Sequence, residues 1–279
     1  MPMTSQPRFF EVRPNIFTAT LDVEQTNLTL ITGDSACLLV DTGSTPSEGA
    51  QIRQMVERIT ATQLTTVVLT HGHWDHAFGL SAFADLSTIG HENLTLDLTC
   101  TENQAWARKQ GIDLKTLPLP STSLAAIGVR NLGGISVEIA YLGQAHTRSD
   151  LILAIPQRSV IIAGDLVDTG PPQFDETSCL KGWVACLDCL YALLKNDTLV
   201  ICGHGTPVTP EGVAHFRAGL AAIWDQAEWA FHEKIPLARV YDTNDMQWPW
   251  DRATVEKGIA VAYRACREML FRARTRRAG

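Results

Sequence analysis

Apolar positions along the chain change period several times, and those changes divide it into elements. Residues 9–12, 27–32 and 36–41 are short apolar or β-branched runs punctuated by Pro14, Gly33-Asp34 and Asp41-Thr42-Gly43, the pattern of strands joined by tight turns. Over 44–60 the spacing becomes helical: Ile52, Met55, Val56 and Ile59 share one face, and Pro46 sits near the start, where its missing N–H costs nothing. A β-branched strand at 65–70 stops at His71. The alternation continues with a helix at 92–110, strands at 135–142, 151–155 and 160–163, a helix at 181–194, and a short strand at 198–202 ending at Gly203. Strands and helices that interleave in this way argue for an α/β fold with sheets covered by helices. The stretch 114–132, with prolines near 117–120, reads as an insertion or rim loop and not as a domain boundary.

The tail differs. From about residue 209, Thr209-Pro210-Glu211 makes a helix start, and Val213, Phe216, Leu220, Ile223, Ala227 and Phe231 mark one apolar face. Val255, Ile259, Ala262, Cys266 and Met269 do the same for a last helix, and Tyr241, Trp248 and Trp250 fall in an irregular stretch between the two. These tryptophans fit helix packing, a pocket wall or a dimer contact. Residues 1–279 are therefore expected to form one domain that includes the C-terminal helices.

Composition narrows the function classes. With 279 residues, 45% hydrophobic and 19% charged, the chain is neither a disordered tail nor a disulfide mini-scaffold. A net charge of -7 argues against a nucleic-acid partner, which would call for clustered Lys and Arg. No run of about 18 apolar residues is present to span a bilayer, and the first residues lack a basic segment followed by an apolar core, so no membrane association and a cytoplasmic location are expected. Seven cysteines, an odd number, fit reduced thiols. Cys186 and Cys189, with Cys179 nearby, have redox or zinc spacing but no second matching pair, and read as small buried hydrophobes. His91, His215 and His232 lack motif context and read as ordinary histidines.

The chemistry concentrates at Thr70-His71-Gly72-His73-Trp74-Asp75-His76, directly after an apolar strand. Packing does not account for three imidazoles and a carboxylate in six residues, because gathering them away from water is costly. A metal removes that cost, since neutral imidazole and carboxylate suit zinc and its neighbours. Alternate residues after a strand aim His71 and His73 one way and leave Asp75 and His76 for a second position, which implies two metals. His146, Asp165 and His204 each follow a strand beside a glycine, in loops that a rigid sheet can hold at one edge, and are the candidates for the remaining ligands.

These residues, in this order, resemble the metallo-β-lactamase-fold superfamily, whose pattern is H-x-H-x-D-H followed by a His, an Asp or Cys, and a His. The resemblance runs from about residue 27 to 204 and implies a four-layer αββα sandwich, here with a C-terminal helical extension. It implies that His71, His73 and His146 hold one divalent cation, that Asp75, His76 and His204 hold a second, and that Asp165 bridges them. It also implies that Asp41 supports a ligand imidazole from behind. The cations would be Zn2+, with Mn2+ or Fe2+ as substitutes. Asp at position 165, in place of the Cys of the zinc β-lactamases, points to the glyoxalase II, lactonase and thioesterase-like branches.

The resemblance thus implies a binuclear hydrolase in which a water shared by two cations is acidified and attacks the acyl bond of a thioester, ester or lactone, with Asp75 orienting the nucleophile or handling its proton. The expected partner is a small-molecule acyl substrate. An acyl carrier protein or CoA ester comes next, suggested by Arg264, Arg267, Arg272, Arg274, Arg276 and Arg277 at the C-terminus. Rivals are a phosphodiesterase or nuclease of the same fold, a mononuclear iron dioxygenase, a β-lactamase, and a binding module without catalysis. The resemblance assigns specificity to loops around the metals and to the C-terminal segment, here 114–132 and 235–250.

Overall fold

The computed structural model describes residues 7–243 and 247–278, and the side chains there apart from those of residues 274 and 276–278. Arg274, Arg276 and Arg277 of the basic tail therefore lie outside the described side chains. The chain runs β1 (Phe10–Arg13), β2 (Ile16–Thr20), β3 (Asn27–Thr32), β4 (Cys37–Val40), α1 (Pro46–Ile59), β5 (Leu64–Val68), α2 (Trp74–Ala77), β6 (Ser87–His91), α3 (Leu94–Asp97) and α4 (Thr101–Gln110). It continues with β7 (Thr122–Leu124), β8 (Ile127–Asn131), β9 (Ser136–Tyr141), β10 (Leu151–Ile155), β11 (Val160–Gly164), α5 (Leu180–Leu193), β12 (Leu199–Cys202), α6 (Pro210–His232) and α7 (Arg252–Ala278).

One sheet takes β1 to β7 in sequence order, and the other is ordered β12-β11-β10-β9-β8. Period-2 alternation explains how they stack. In β4, Leu38 and Val40 point to the interior between the sheets, where they meet Val137, Ile139, Leu153 and Ile162 of the second sheet, while Cys37 and Leu39 face the helix α1 layer. In β11, Val160 and Ile162 face the interior, and Ile161 and Ala163 face the helices α5, α6 and α7. The order of layers is helix, sheet, sheet, helix, the αββα sandwich with a C-terminal helical region that the resemblance implied.

Local chemistry sets the helix ends. Thr45 caps α1 by accepting from Glu48 N at 3.1 Å, and the Glu48 carboxylate returns to accept from Ser44 N at 2.7 Å, a reciprocal arrangement that satisfies exposed donors. The single helix expected over 92–110 is two, α3 and α4, because Cys100 is extended and begins α4 as its cap.

The stretch 114–132 is not a plain loop. It holds β7 at one edge of the first sheet and β8 at the edge of the second. The strand β8 carries its apolar residues outward, with Ile127 74% exposed, so no burial pattern marks it in the sequence. The tryptophans after α6 pack within the helical layer: Trp250 lies edge-on to Phe216, and Trp248 stacks on Tyr241. Of the cysteine pair, Cys186 is buried as expected, whereas Cys189 is exposed. No helix among the described residues is long and apolar enough to cross a membrane.

Candidate metal centre

The strands β4 and β5 run parallel in one sheet, and β11 and β12 run parallel in the other. Their carboxyl ends meet at one edge of the sandwich, the position where α/β sheets expose loops to a ligand. Asp41 follows β4, His71 follows β5, Asp165 follows β11 and His204 follows β12. The loop after β9 brings in His146. A backbone bond from Leu151 N to Thr70 O, 2.7 Å, and another from Asn27 N to Gly203 O, 2.7 Å, tie the two sheets together beside these loops. Asp75 and His76 lie in the single turn of α2, and His73 stands at its N-cap position, so the short segment from His71 to His76 carries four of the polar side chains.

Two glycines let the loops close. A Cβ at Gly164 (φ +53) would fall 2.9 Å from Thr70 Cβ, and one at Gly203 would fall 1.8 Å from Asp165 Oδ1. Side chains at these positions would push the sheet ends apart or displace the carboxylate between them.

Seven side chains converge. His71 Nε2 and His73 Nδ1 are 3.1 Å apart, His146 Nε2 and His73 Nδ1 are 2.9 Å apart, and Asp165 Oδ2 lies 3.7 Å from His71 Nε2 and 3.4 Å from His146 Nε2. Beside them, Asp75 Oδ2 is 3.3 Å from His76 Nε2 and 3.4 Å from His204 Nε2, and those two nitrogens are 3.4 Å apart. Asp165 closes the second group too, with Oδ1 3.2 Å from His76 Nε2 and Oδ2 3.2 Å from His204 Nε2. Four donors arranged tetrahedrally at about 2.0–2.2 Å from a cation stand roughly 3.3–3.6 Å from one another. The second group, at 3.2–3.4 Å, comes close to that spacing, and the first, at 2.9–3.7 Å, brackets it. Asp165 Oδ1 is buried and makes no hydrogen bond, which also suits an acceptor shaped for a cation. The sequence-predicted residues are therefore all brought together, and Asp41 stands behind them: its Oδ2 lies 2.9 Å from His76 Nδ1 while Thr70 N and Thr70 Oγ1 donate to its two oxygens at 2.7 and 2.9 Å.

Electrostatics divides the imidazoles. Burial, helped by neighbouring imidazoles, pushes His71 well below its usual value and His146 down to about 4, so both are neutral with a lone pair to offer. Burial also works against protonating His76 and His204. For these two it is outweighed by carboxylates, Asp75 and Asp165 at His76 and Asp165 at His204, which lift His76 well above and His204 to about 10. Burial likewise opposes ionisation of Asp75, yet His76 holds that carboxyl down at about 2. The raised His76 and His204 therefore favour a proton at the position where a divalent cation would fit, and binding of such a cation there would release it.

Other residues of the centre carried no sequence signal. Asp175 Oδ2 lies 3.1 Å from His73 Nε2, and its Oδ1 accepts from Thr177 N and Thr177 Oγ1. Asn103, fully buried, accepts from Trp74 N at 2.8 Å and donates to Gly72 O and Asp97 O, clamping the histidine turn from below. Thr26 Oγ1 donates to Asp75 Oδ2 at 2.8 Å, and Asp168 Oδ1 accepts from His204 N at 3.0 Å. An Asx-type turn at Asp175-Glu176-Thr177 is visible in the sequence, but nothing there says that the turn faces His73. His91 is also buried: it stacks on Tyr141 with ring centroids 3.8 Å apart, away from the two groups.

A cavity of about 250 Å³ opens on the centre, lined by His73, Trp74, Asp75, Asp165, Asp168 and His204, together with Glu24, Glu102 and residues of the 170–173 loop. The segments 114–132 and 235–250, expected to shape specificity, supply none of its described lining; the walls come from the turn before β3, the first turn of α4 and the loop after β11.

Comparison with known proteins agrees with the geometry. A family model described as the metallo-beta-lactamase superfamily matches residues 21–204. Among curated relatives, a metallo-beta-lactamase type 2 of Bacillus sp. (strain 170) is 24% identical over 172 residues, 60% of this chain and 62% of that protein, so the match spans less than two thirds of the relative's length. Among solved structures, a stereoselective inverting sec-alkylsulfatase of Pseudomonas sp. superposes with a TM-score of 0.77 at 16% identity, over 93% of this chain and 50% of that one. A metallo-beta-lactamase of Pontibacter korlensis superposes with a TM-score of 0.65 at 16% identity, over 77% of this chain and 99% of that one.

Proposed function

The chain belongs to the metallo-beta-lactamase superfamily, and from that membership we propose that it is a binuclear metal-dependent hydrolase cleaving the acyl bond of a small molecule, a thioester, ester or lactone. The observation that carries this reading is the pair of donor groups near tetrahedral spacing joined by one carboxylate. In that reading His71, His73 and His146 would hold one divalent cation and Asp75, His76 and His204 a second, with Asp165 placed to serve both groups. Zinc suits this nitrogen and carboxylate set. Bound there, such cations supply Lewis acidity, polarising a carbonyl oxygen and drawing the pKa of a water from about 15.7 toward neutrality.

The protein's own groups do the rest. Asp75 lines the cavity, and its carboxylate, fixed by the Thr26 hydroxyl, is placed to orient the attacking water or to handle its proton. Asp41 fixes the ring of His76 through Nδ1. The cavity beside the donor groups is small and suits a compact substrate.

Metal analysis of protein produced without supplementation tests the first half, with about two zinc ions per chain expected; a single iron would instead indicate oxygen chemistry. A panel of thioesters, esters and lactones, run beside a phosphodiester and a penicillin, tests the second half. Asp75→Ala is expected to lower the acyl activity by about 10²–10⁴-fold. Activity that survives both this substitution and chelation would overturn the mechanism.

A further inference from the structure

The turn at 174–178 is where the C-terminal helices reach the donor groups. It touches two residues of the first group: Asp175 Oδ2 lies 3.1 Å from His73 Nε2, and Ser178 Oγ donates to the carbonyl of His146 at 2.9 Å. The turn is wound on itself, because Asp175 Oδ1 accepts from Thr177 N, Thr177 Oγ1 and Ser178 N, and Ser178 Oγ accepts from Asp175 N. A shift of the turn would therefore carry both contacts with it.

Other elements hold it in place. Glu176 Oε1 accepts from Thr101 N at the start of α4, and Gln144 Nε2 donates to Thr177 O at 2.7 Å. Phe174 packs edge-on against Trp183, with ring centroids 5.7 Å apart, and Trp183 lies edge-on to His146 at 5.1 Å. The helix α7 comes close on the other side: a Cβ at Gly258 would fall 3.0 Å from Phe174 Cε2. From the same helix, Arg264 Nη2 donates to Ser178 O at 3.1 Å and to Asp175 O at 3.4 Å.

Arg264 is half-buried, whereas Arg267 and Arg272, further along α7, are exposed. A guanidinium suits this place, since it stays charged and its Nη2 carries two N–H groups in a fixed plane, one for each carbonyl; an ammonium on a flexible stem would fix less. The helix does not need Arg264 in order to pack, because Val255, Ile259, Ala262 and Cys266 bury it against the core. The second donor group leans on other partners, His76 on Asp41 and His204 on the carbonyl of Glu24. We propose that Arg264 is a positioning residue for the metal centre: through the turn at 174–178 it fixes the ring of His73 and the backbone of His146, so that α7, outside the stretch 21–204 that matches the superfamily, completes the first donor group. The inference rests on the metal reading for the cation and on the contacts of the turn for the geometry.

Zinc affinity, measured by competition with a chromophoric chelator, tests it in two backgrounds: His204→Ala, which leaves the first group intact, and His71→Ala, which leaves the second. Arg264→Met is expected to weaken zinc roughly 3–10-fold in the first background, less than the loss of about 10–100-fold for a residue that touches a ligand ring directly. In the second background it is expected to change nothing, and Arg264→Lys is expected to fall between Arg264→Met and the natural residue. Unchanged affinity in the first background, or an equal loss in both, would overturn the proposal. If Arg264→Met does not fold, Arg264→Lys decides alone, with weaker zinc in the first background only as support and unchanged zinc as refutation. If the unsubstituted protein takes up no zinc, the metal reading fails. In that case, and equally if a background variant loses all its zinc, hydrogen–deuterium exchange of the metal-free protein decides. Faster exchange of the Thr177 and Ser178 amides in Arg264→Met, with exchange along α6 unaltered, supports the positioning role; exchange equal to that of the natural protein overturns it.

Discussion

His73 Nε2 lies 3.1 Å from Asp175 Oδ2, which joins residues 102 positions apart behind the proposed metal centre. Imidazole has two ring nitrogens, and when Nδ1 faces a cation the other N–H needs an acceptor to fix the ring. Asp175 supplies it and remains ionised, since His73 outweighs burial and holds its carboxyl well below the usual range. Asp175→Ala should lower the affinity for the cation held by His73 by about 10–100-fold, with Asp175→Asn falling between the variant and the natural protein. Competition against a chromophoric chelator measures this, and an affinity equal to that of the unsubstituted protein would show that the contact does not orient His73.

Gly203 has no room for a side chain, because a Cβ there would meet Asp165 Oδ1 at 1.8 Å. Gly203→Ala should therefore displace the shared carboxylate. The expected result is a fall in bound zinc from two ions per chain toward one or none, with the fold retained by circular dichroism. Full occupancy in the variant would mean that Asp165 is not needed to bridge.

Asp150 is buried and accepts from Thr147 N at 2.8 Å and Thr147 Oγ1 at 2.7 Å, yet burial lifts its carboxyl from 3.8 to about 7. A raised acid binds a proton in the folded state that the unfolded chain has already released, so its contribution to stability is full below the unfolded value and is lost as pH rises through about 7. Asp150→Asn keeps the shape without titrating. Relative to that variant, the unsubstituted protein should lose stability between about pH 4 and pH 7 and change little above. Urea unfolding of both proteins across the range provides the comparison, in which groups common to the two cancel. A difference that stays constant with pH would show that Asp150 is ionised throughout.

The cysteines should differ in reactivity because the thiolate is the nucleophile. Burial, aided by the Asp150 charge, pushes Cys186 up to about 12, and burial with the nearby Asp168 raises Cys202 as well, while Cys189 is exposed. Iodoacetamide at pH 8 should label Cys189 in the native protein and reach Cys186 and Cys202 only after unfolding. Mass mapping of the labelled peptides decides, and rapid native labelling of Cys202 would contradict the buried placement.

Much of this architecture is legible in the amino-acid sequence. The strands of both sheet interiors announce themselves because they are apolar on both faces, and the donors do so because a run such as His71 to His76 has no packing explanation. The edge strand β8 escaped, since Ile127 and Val129 face solvent and reverse the usual alternation. The break between α3 and α4 escaped because helical spacing continues across Cys100. Asp175, Asn103 and Thr26 escaped for a further reason: each is a single polar residue whose partner is fixed only by tertiary packing, and no local pattern encodes a contact of that kind.

The donors come from two sheets, with Asp75 and His76 on one side and His146, Asp165 and His204 on the other, so neither half owns a complete claw. In the proposed binuclear protein, retention of the cations would then be a gauge of how firmly the halves stay docked. Slow breathing between the two sheets would surface as exchange of the bound cation with an isotopically labelled pool, well before any spectroscopic sign that the molecule unravels.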